Sequence, residues 1–147
     1  MKRILLAALL LASCTKGGPP DLQISNAWAR ETVVGQHATA AYLTIANKGA
    51  GDDRLVSVAS AAPAMAMLHA SESSDGVSRM RAMESGVAIP AGGTIEFKPG
   101  GTHVMVSGLG EPLHPGQSLK MVLNFEKSGE RSVDVRIVPA ATAEGAQ

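Results

Sequence analysis

The chain has 147 residues, 45% of them hydrophobic and only 3% aromatic, with a formal net charge of zero. That length allows one domain with a sizeable core, and that hydrophobic content excludes wholesale disorder. No basic run exists beyond Lys2-Arg3, so nucleic-acid binding has no electrostatic footprint.

The chain begins with Lys2-Arg3 and an apolar run from Ile4 to Ala12. This reads as a targeting segment rather than structure. The run is far short of the roughly 20 residues a membrane-spanning helix needs. It ends in Leu11-Ala12-Ser13-Cys14, which resembles a bacterial lipobox, where cleavage leaves the cysteine first with lipid on its sulfur. Residues 1–13 are then a lipoprotein signal peptide. Residues 14–23 are the lipidated Cys14 and a flexible tether rich in Gly and Pro. Removing Lys2 and Arg3 leaves 11 basic against 13 acidic side chains, a net of −2. The expected location is periplasm-facing and lipid-anchored. Thr15, where some bacterial lipoproteins carry an inner-membrane retention aspartate, points to the outer membrane. Cys14 is the only cysteine. A disulfide framework, a thiol nucleophile and a blue-copper cysteine ligand are therefore excluded.

Residues 24–139 form the single expected domain, with 140–147 as a tail. Short apolar alternations are broken by turn signals every 8–12 residues or so, the pattern of an all-β sandwich or barrel. The predicted strands are Ile24 to Thr32, Ala40 to Ala46, Arg54 to Ala59, Met65 to Ser71, Val77 to Met83, Thr94 to Phe97, His103 to Ser107, Leu119 to Phe125 and Ser132 to Val138. Asp75-Gly76 is a hairpin turn signal. Trp28 is expected to anchor the core. Met83 and Met121 read as core packing, because methionine fills gaps well.

Five of the seven methionines and two of the four histidines fall between Met65 and Met105. His103 and Met105 are two apart, so on a strand they share a face. A two-residue turn at Asp75-Gly76 sets His69 opposite Ala82 and puts Met80, not Met83, on the face of His69. Met80 is then a diagonal neighbour within reach of long side chains. Two nitrogen–sulfur pairs follow, His69 with Met80 and His103 with Met105. A His₂Met₂ set has no carboxylate for calcium or magnesium and lacks the thiolate or third nitrogen typical of zinc. Neutral thioethers match Cu(I), one per monomer. Met65 and Met67 share that face and are read as rim residues, auxiliary metal contacts at most. His37 and His114 have no methionine partner and are read as solvent-exposed.

These residues carry a family resemblance. His69, ten residues, Met80, twenty-two residues, then His103-Val104-Met105 resembles the motif of the periplasmic copper chaperones of the PCu(A)C family. The surrounding text agrees: Asn26-Ala27-Trp28-Ala29-Arg30, Ala41-Tyr42, Ile89-Pro90-Ala91-Gly92-Gly93, Pro99-Gly100-Gly101 and Leu123-Asn124-Phe125-Glu126. The second spacing is one residue longer than usual, placed in the loop Glu84 to Val87, and Ser78 stands where relatives often carry a methionine. The resemblance implies a cupredoxin-like, immunoglobulin-like antiparallel β-sandwich. It implies Cu(I) held by His69, Met80, His103 and Met105. It also implies delivery to the dinuclear copper site of cytochrome c oxidase subunit II, with Sco-type proteins as partners. Copper sequestration for tolerance and a metal-free interaction module are the alternatives. No HExxH, GxSxG or Ser-His-Asp pattern supports an enzyme.

Overall fold

The computed structural model describes residues 17–61 and 63–141. The signal peptide, Cys14 and most of the tail 140–147 lie outside the described residues. Among the described residues ten strands are formed: β1 (Leu22–Arg30), β2 (Ala38–Asn47), β3 (Asp53–Ser60), β4 (Met65–Ser74), β5 (Val77–Ala82), β6 (Val87–Ile89), β7 (Thr94–Glu96), β8 (Thr102–Ser107), β9 (Ser118–Phe125) and β10 (Gly129–Val138). Hydrogen bonds join them into one sheet in the order β5-β4-β8-β2-β1-β10-β9-β3-β6, with β7 on β2. One hydrophobic cluster draws on both ends of that order, from Leu68, Val104 and Leu43 to Leu55, Leu123 and Ile137. The sheet therefore curls around a single core. Complete burial of a side chain such as Leu43, Ile45 or Leu123 contributes about 1.5–3 kcal/mol each.

The all-β sandwich is as expected, with three differences. The sheet is mixed: β1 pairs parallel with β10, joining the two halves of the sandwich. The short strand β6 lies in what the sequence reads as loop and turn. It is only three residues long, yet it buries Val87 and Ile89 against β3. The tether is also shorter than 14–23, because β1 already begins at Leu22. Before it, the Asp21 carbonyl accepts from the Lys48 N–H at 2.7 Å. The Asp21 N–H donates to Asn47 Oδ1 at 3.1 Å. A Cβ on Gly49 would collide with the Pro19 carbonyl, so the bare glycine is what lets this segment lie against the turn.

Two buried polar side chains staple the turns at this end. Asn47 Oδ1 also accepts from the Gly49 N–H, and its Nδ2 donates to the carbonyls of Gly51 and Pro90. Asp53 Oδ1 accepts from the N–H groups of Arg54 and Lys127. Its Oδ2 accepts from the Ser128 N–H and, at 2.6 Å, the Ser128 hydroxyl. Burial pushes the Asp53 carboxyl up, but the bonds from Ser128, Lys127 and Arg54 outweigh it and hold the group below the usual carboxylate range.

Trp28 is buried, but not in the main core. β1 carries a bulge between Ser25 and Trp28, with Asn26 at a φ of 51°, a conformation asparagine tolerates better than most residues. The extra residue reverses the alternation. Ile24 packs against the core before the bulge, and Ala27 and Ala29 after it. Trp28 is thereby turned to the other face, where it meets Tyr42.

Candidate metal centre

The β4–β5 hairpin closes as the sequence predicts. Asp75 and Gly76 have φ values of 53° and 75°, the two positive φ angles a type I′ turn requires. The register sets His69 opposite Ala82 and Ser71 opposite Met80, so Met80 shares the face of His69.

The pairing of β4 with β8 adds what local spacing does not show. His69 is directly opposite His103, and Met67 directly opposite Met105. The imidazole rings lie 5.9 Å apart, centroid to centroid, edge to face. Continuing across the same face, Tyr42 stands 6.4 Å from the His103 ring, and Trp28 stands 4.5 Å from Tyr42. One row thus runs Trp28, Tyr42, His103, His69, Ala82. The next carries Ala40, Met105 and Met67. The aromatic pair backs the His103 ring and limits its movement. Burial pushes the Tyr42 phenol up, with the Arg30 charge pulling it partly back.

One backbone contact selects the ring tautomer. His103 Nδ1 lies 3.0 Å from the Gly101 carbonyl oxygen. A carbonyl only accepts, so in the neutral imidazole Nδ1 carries the proton and Nε2 the lone pair. That Nε2 is buried and has no hydrogen-bond partner. His69 Nδ1 is likewise buried and without a partner. Buried polar atoms are normally satisfied. Two orphaned imidazole nitrogens on facing residues are the unmet donor capacity that a soft metal ion fits.

The sulfurs differ in access. Met105 is half-buried, while Met67, Met80 and Met65 are exposed. On the reverse face of the hairpin, Arg81 pairs with Glu72 at 2.9 Å, both exposed, a contact worth little in water. Among the described residues no group of three or more His, Cys, Asp or Glu side chains could hold a metal ion. The donors this face offers are imidazole nitrogen and thioether sulfur.

The structure thus brings His69, His103 and Met105 together and sets Met80 on the same face, one rung further along. Met67, read from the sequence as a rim residue, sits directly beside Met105. Met65 lies opposite Ser107, one rung beyond. His37 and His114 are exposed, and His37 Nδ1 contacts the Leu109 carbonyl. Met121 is fully buried and Met83 packs against the core. Sequence reasoning missed Gly101 as the partner of His103 and Tyr42 as its backing. The Gly100-Gly101 turn two residues before His103 was the available signal for the first; only the sheet order reveals the second.

Residues 22–137 match the family profile described as "Putative lipoprotein LpqE-like". A relative from Leifsonia xyli subsp. xyli, "Putative lipoprotein Lxx21020", is 35% identical over 124 residues, covering 84% of this chain and 74% of its own length. Among solved structures, the apo PCuAC domain from PmoF1 superposes with a TM-score of 0.67 at 28% identity, covering 84% of this chain and 96% of that one. The solution structure of CuI-DR1885 from Deinococcus radiodurans gives 0.57 at 26% identity, with 86% and 82% covered.

Proposed function

The chain belongs to the LpqE-like lipoprotein family and has the PCuAC fold, and on that footing we propose that it is an extracytoplasmic Cu(I) chaperone, lipid-anchored through Cys14. One observation carries the reading: two facing histidines each keep a buried, unpartnered nitrogen, and Met105, Met67 and Met80 stand on the same face. The Cu(I) form of the similar Deinococcus protein supports the choice of metal. His69, His103 and Met105 bind the ion, and Met80 reaches it from the hairpin.

The donor set explains how the cargo leaves. All four ligands are neutral and the sulfurs are thioethers, so an acceptor offering thiolates holds Cu(I) more strongly. Transfer then proceeds by ligand exchange at an open face, with no change in the oxidation state of copper. The copper site of cytochrome c oxidase subunit II, working with Sco-type proteins, is the acceptor we favour.

Titration with Cu(I) under reducing conditions, against a chromogenic chelator, tests the reading. One-to-one uptake is expected, together with a Tm that rises with free copper, by about 2.7 kcal/mol of stability at a hundred times Kd. Met105→Leu weakens binding and leaves the fold intact. Absence of uptake by the wild type overturns the proposal. Mixing the loaded chain with the metal-free copper domain of an oxidase subunit II then separates delivery from storage.

A further inference from the structure

We propose that Met67 is a copper ligand in its own right, so that three sulfurs serve the site and Met80 is the one that can let go. This rests on the copper reading above and goes beyond its ligand set. His69 faces His103 and Met67 faces Met105 on the same two strands. These four residues are corners of one small rectangle, about 5 Å across the strands and about 7 Å along them. Both nitrogens and both sulfurs project from one face, so a single ion above the rectangle reaches all four.

Met80 is placed differently. It lies opposite Ser71 on β5, two strands from β8 and four residues along from the rung of Met67 and Met105. By ordinary strand spacing its backbone is about 10 Å across and about 13 Å along from that of Met105. Met80 and Met105 share an ion only if the hairpin arm leans over the face. The arm is built for that. β5 pairs with β4 alone in the strand order and buries none of its six residues. With the arm extended, Met67 completes the coordination; with it folded over, Met80 does. Met65 lies one rung further out, opposite Ser107, and takes no part.

The consequence is a route for hand-over. An acceptor approaching along the β5 edge displaces the Met80 sulfur as Met67 takes its place, so copper is not left with three donors.

Cu(I) titration against a chromogenic chelator, on the wild type and M67L, M80L, M67L/M80L and M65L, decides this. Met67, Met80 and Met65 are exposed, so these variants keep the wild-type circular dichroism and thermal midpoint without metal. M80L is expected to retain one-to-one binding, and M67L/M80L to bind at least about tenfold more weakly than M80L. M65L is expected to match the wild type. X-ray absorption on copper-loaded M80L should still count two sulfur neighbours. If M67L/M80L matches M80L and only one sulfur is counted, the role of Met67 is overturned. Failure of the wild type itself to bind would instead remove the copper reading.

Discussion

Two regions of the molecule treat their buried polar groups oppositely. Where β1 meets β2, and β3 meets the β9–β10 turn, Asn47 and Asp53 have both side-chain polar atoms matched to partners, eight hydrogen bonds in all. On the β4–β8 face, His69 Nδ1 and His103 Nε2 have none. The same chain that satisfies one end so fully leaves two nitrogens bare at the other. Satisfied buried groups fix the fold. Unsatisfied ones cost about 1–3 kcal/mol each, a cost that a bound metal ion removes. Arg30 Nε and Ser60 Oγ are unpartnered as well, but only the two imidazoles face each other across paired strands, and on the proposed reading that separates residues that hold the sandwich together from residues that would hold a ligand.

The largest expected effect falls on the satisfied end. Asp53→Ala strips acceptors from three backbone N–H groups and a hydroxyl, and should cost about 3 kcal/mol, roughly 10 °C in Tm. The folded carboxyl sits below its ordinary value, so its contribution is complete above an unfolded pKa of about 3.9 and is lost as pH falls through the folded one. The gap between wild type and variant should therefore narrow below about pH 4. Copper affinity of the folded variant should be unchanged; a loss there would break the separation of the two regions.

His103→Leu should do the reverse. Removing one of two lone pairs should weaken Cu(I) binding by about a hundredfold or more, read by chelator competition. Stability should shift by no more than about 1 kcal/mol, because an orphaned nitrogen is removed along with a single hydrogen bond. A collapse of the fold would show that His103 is structural.

Tyr42→Leu lies between the regions. It deletes the ring contact with Trp28 and the backing of His103, and should cost about 1–2 kcal/mol in a denaturant melt. Copper should then be held a few-fold less tightly, through a looser His103 ring. The smallest effect is expected from replacing both His37 and His114 by Ala. Both are exposed and neither belongs to the paired strands β4, β5 and β8, and copper stoichiometry by titration should remain one per chain.

How much of this is legible in the sequence depends on the range of each contact. Local rules suffice for His103 and Met105, two apart on a strand, and for the hairpin, whose Asp75-Gly76 turn fixes the choice of Met80 over Met83. The pairing of β4 with β8 joins residues 34 apart in sequence, His69 to His103, and no local pattern sets that register. Local spacing alone therefore puts Met67 at the rim, although it lies opposite Met105. A large apolar ring such as Trp28 reads as core, but the bulge before it turns it to the face of Tyr42. Three residues show no readable period, so β6 is not legible in the sequence. The parallel seam of β1 with β10 is likewise a product of chain topology, not of any stretch of residues.

The segment from Gly18 to Asp21 lies against the end of β2 at Asn47, whereas His103 and Met105 are level with Tyr42 and Ala40 on the same strand. Five to seven residues separate them, about 17–24 Å at the strand rise. The stiff sheet between acts as a boom. A chain moored by its N-terminal end would carry its methionines outboard of the mooring, where a docking protein could reach them without first displacing whatever holds the chain in place.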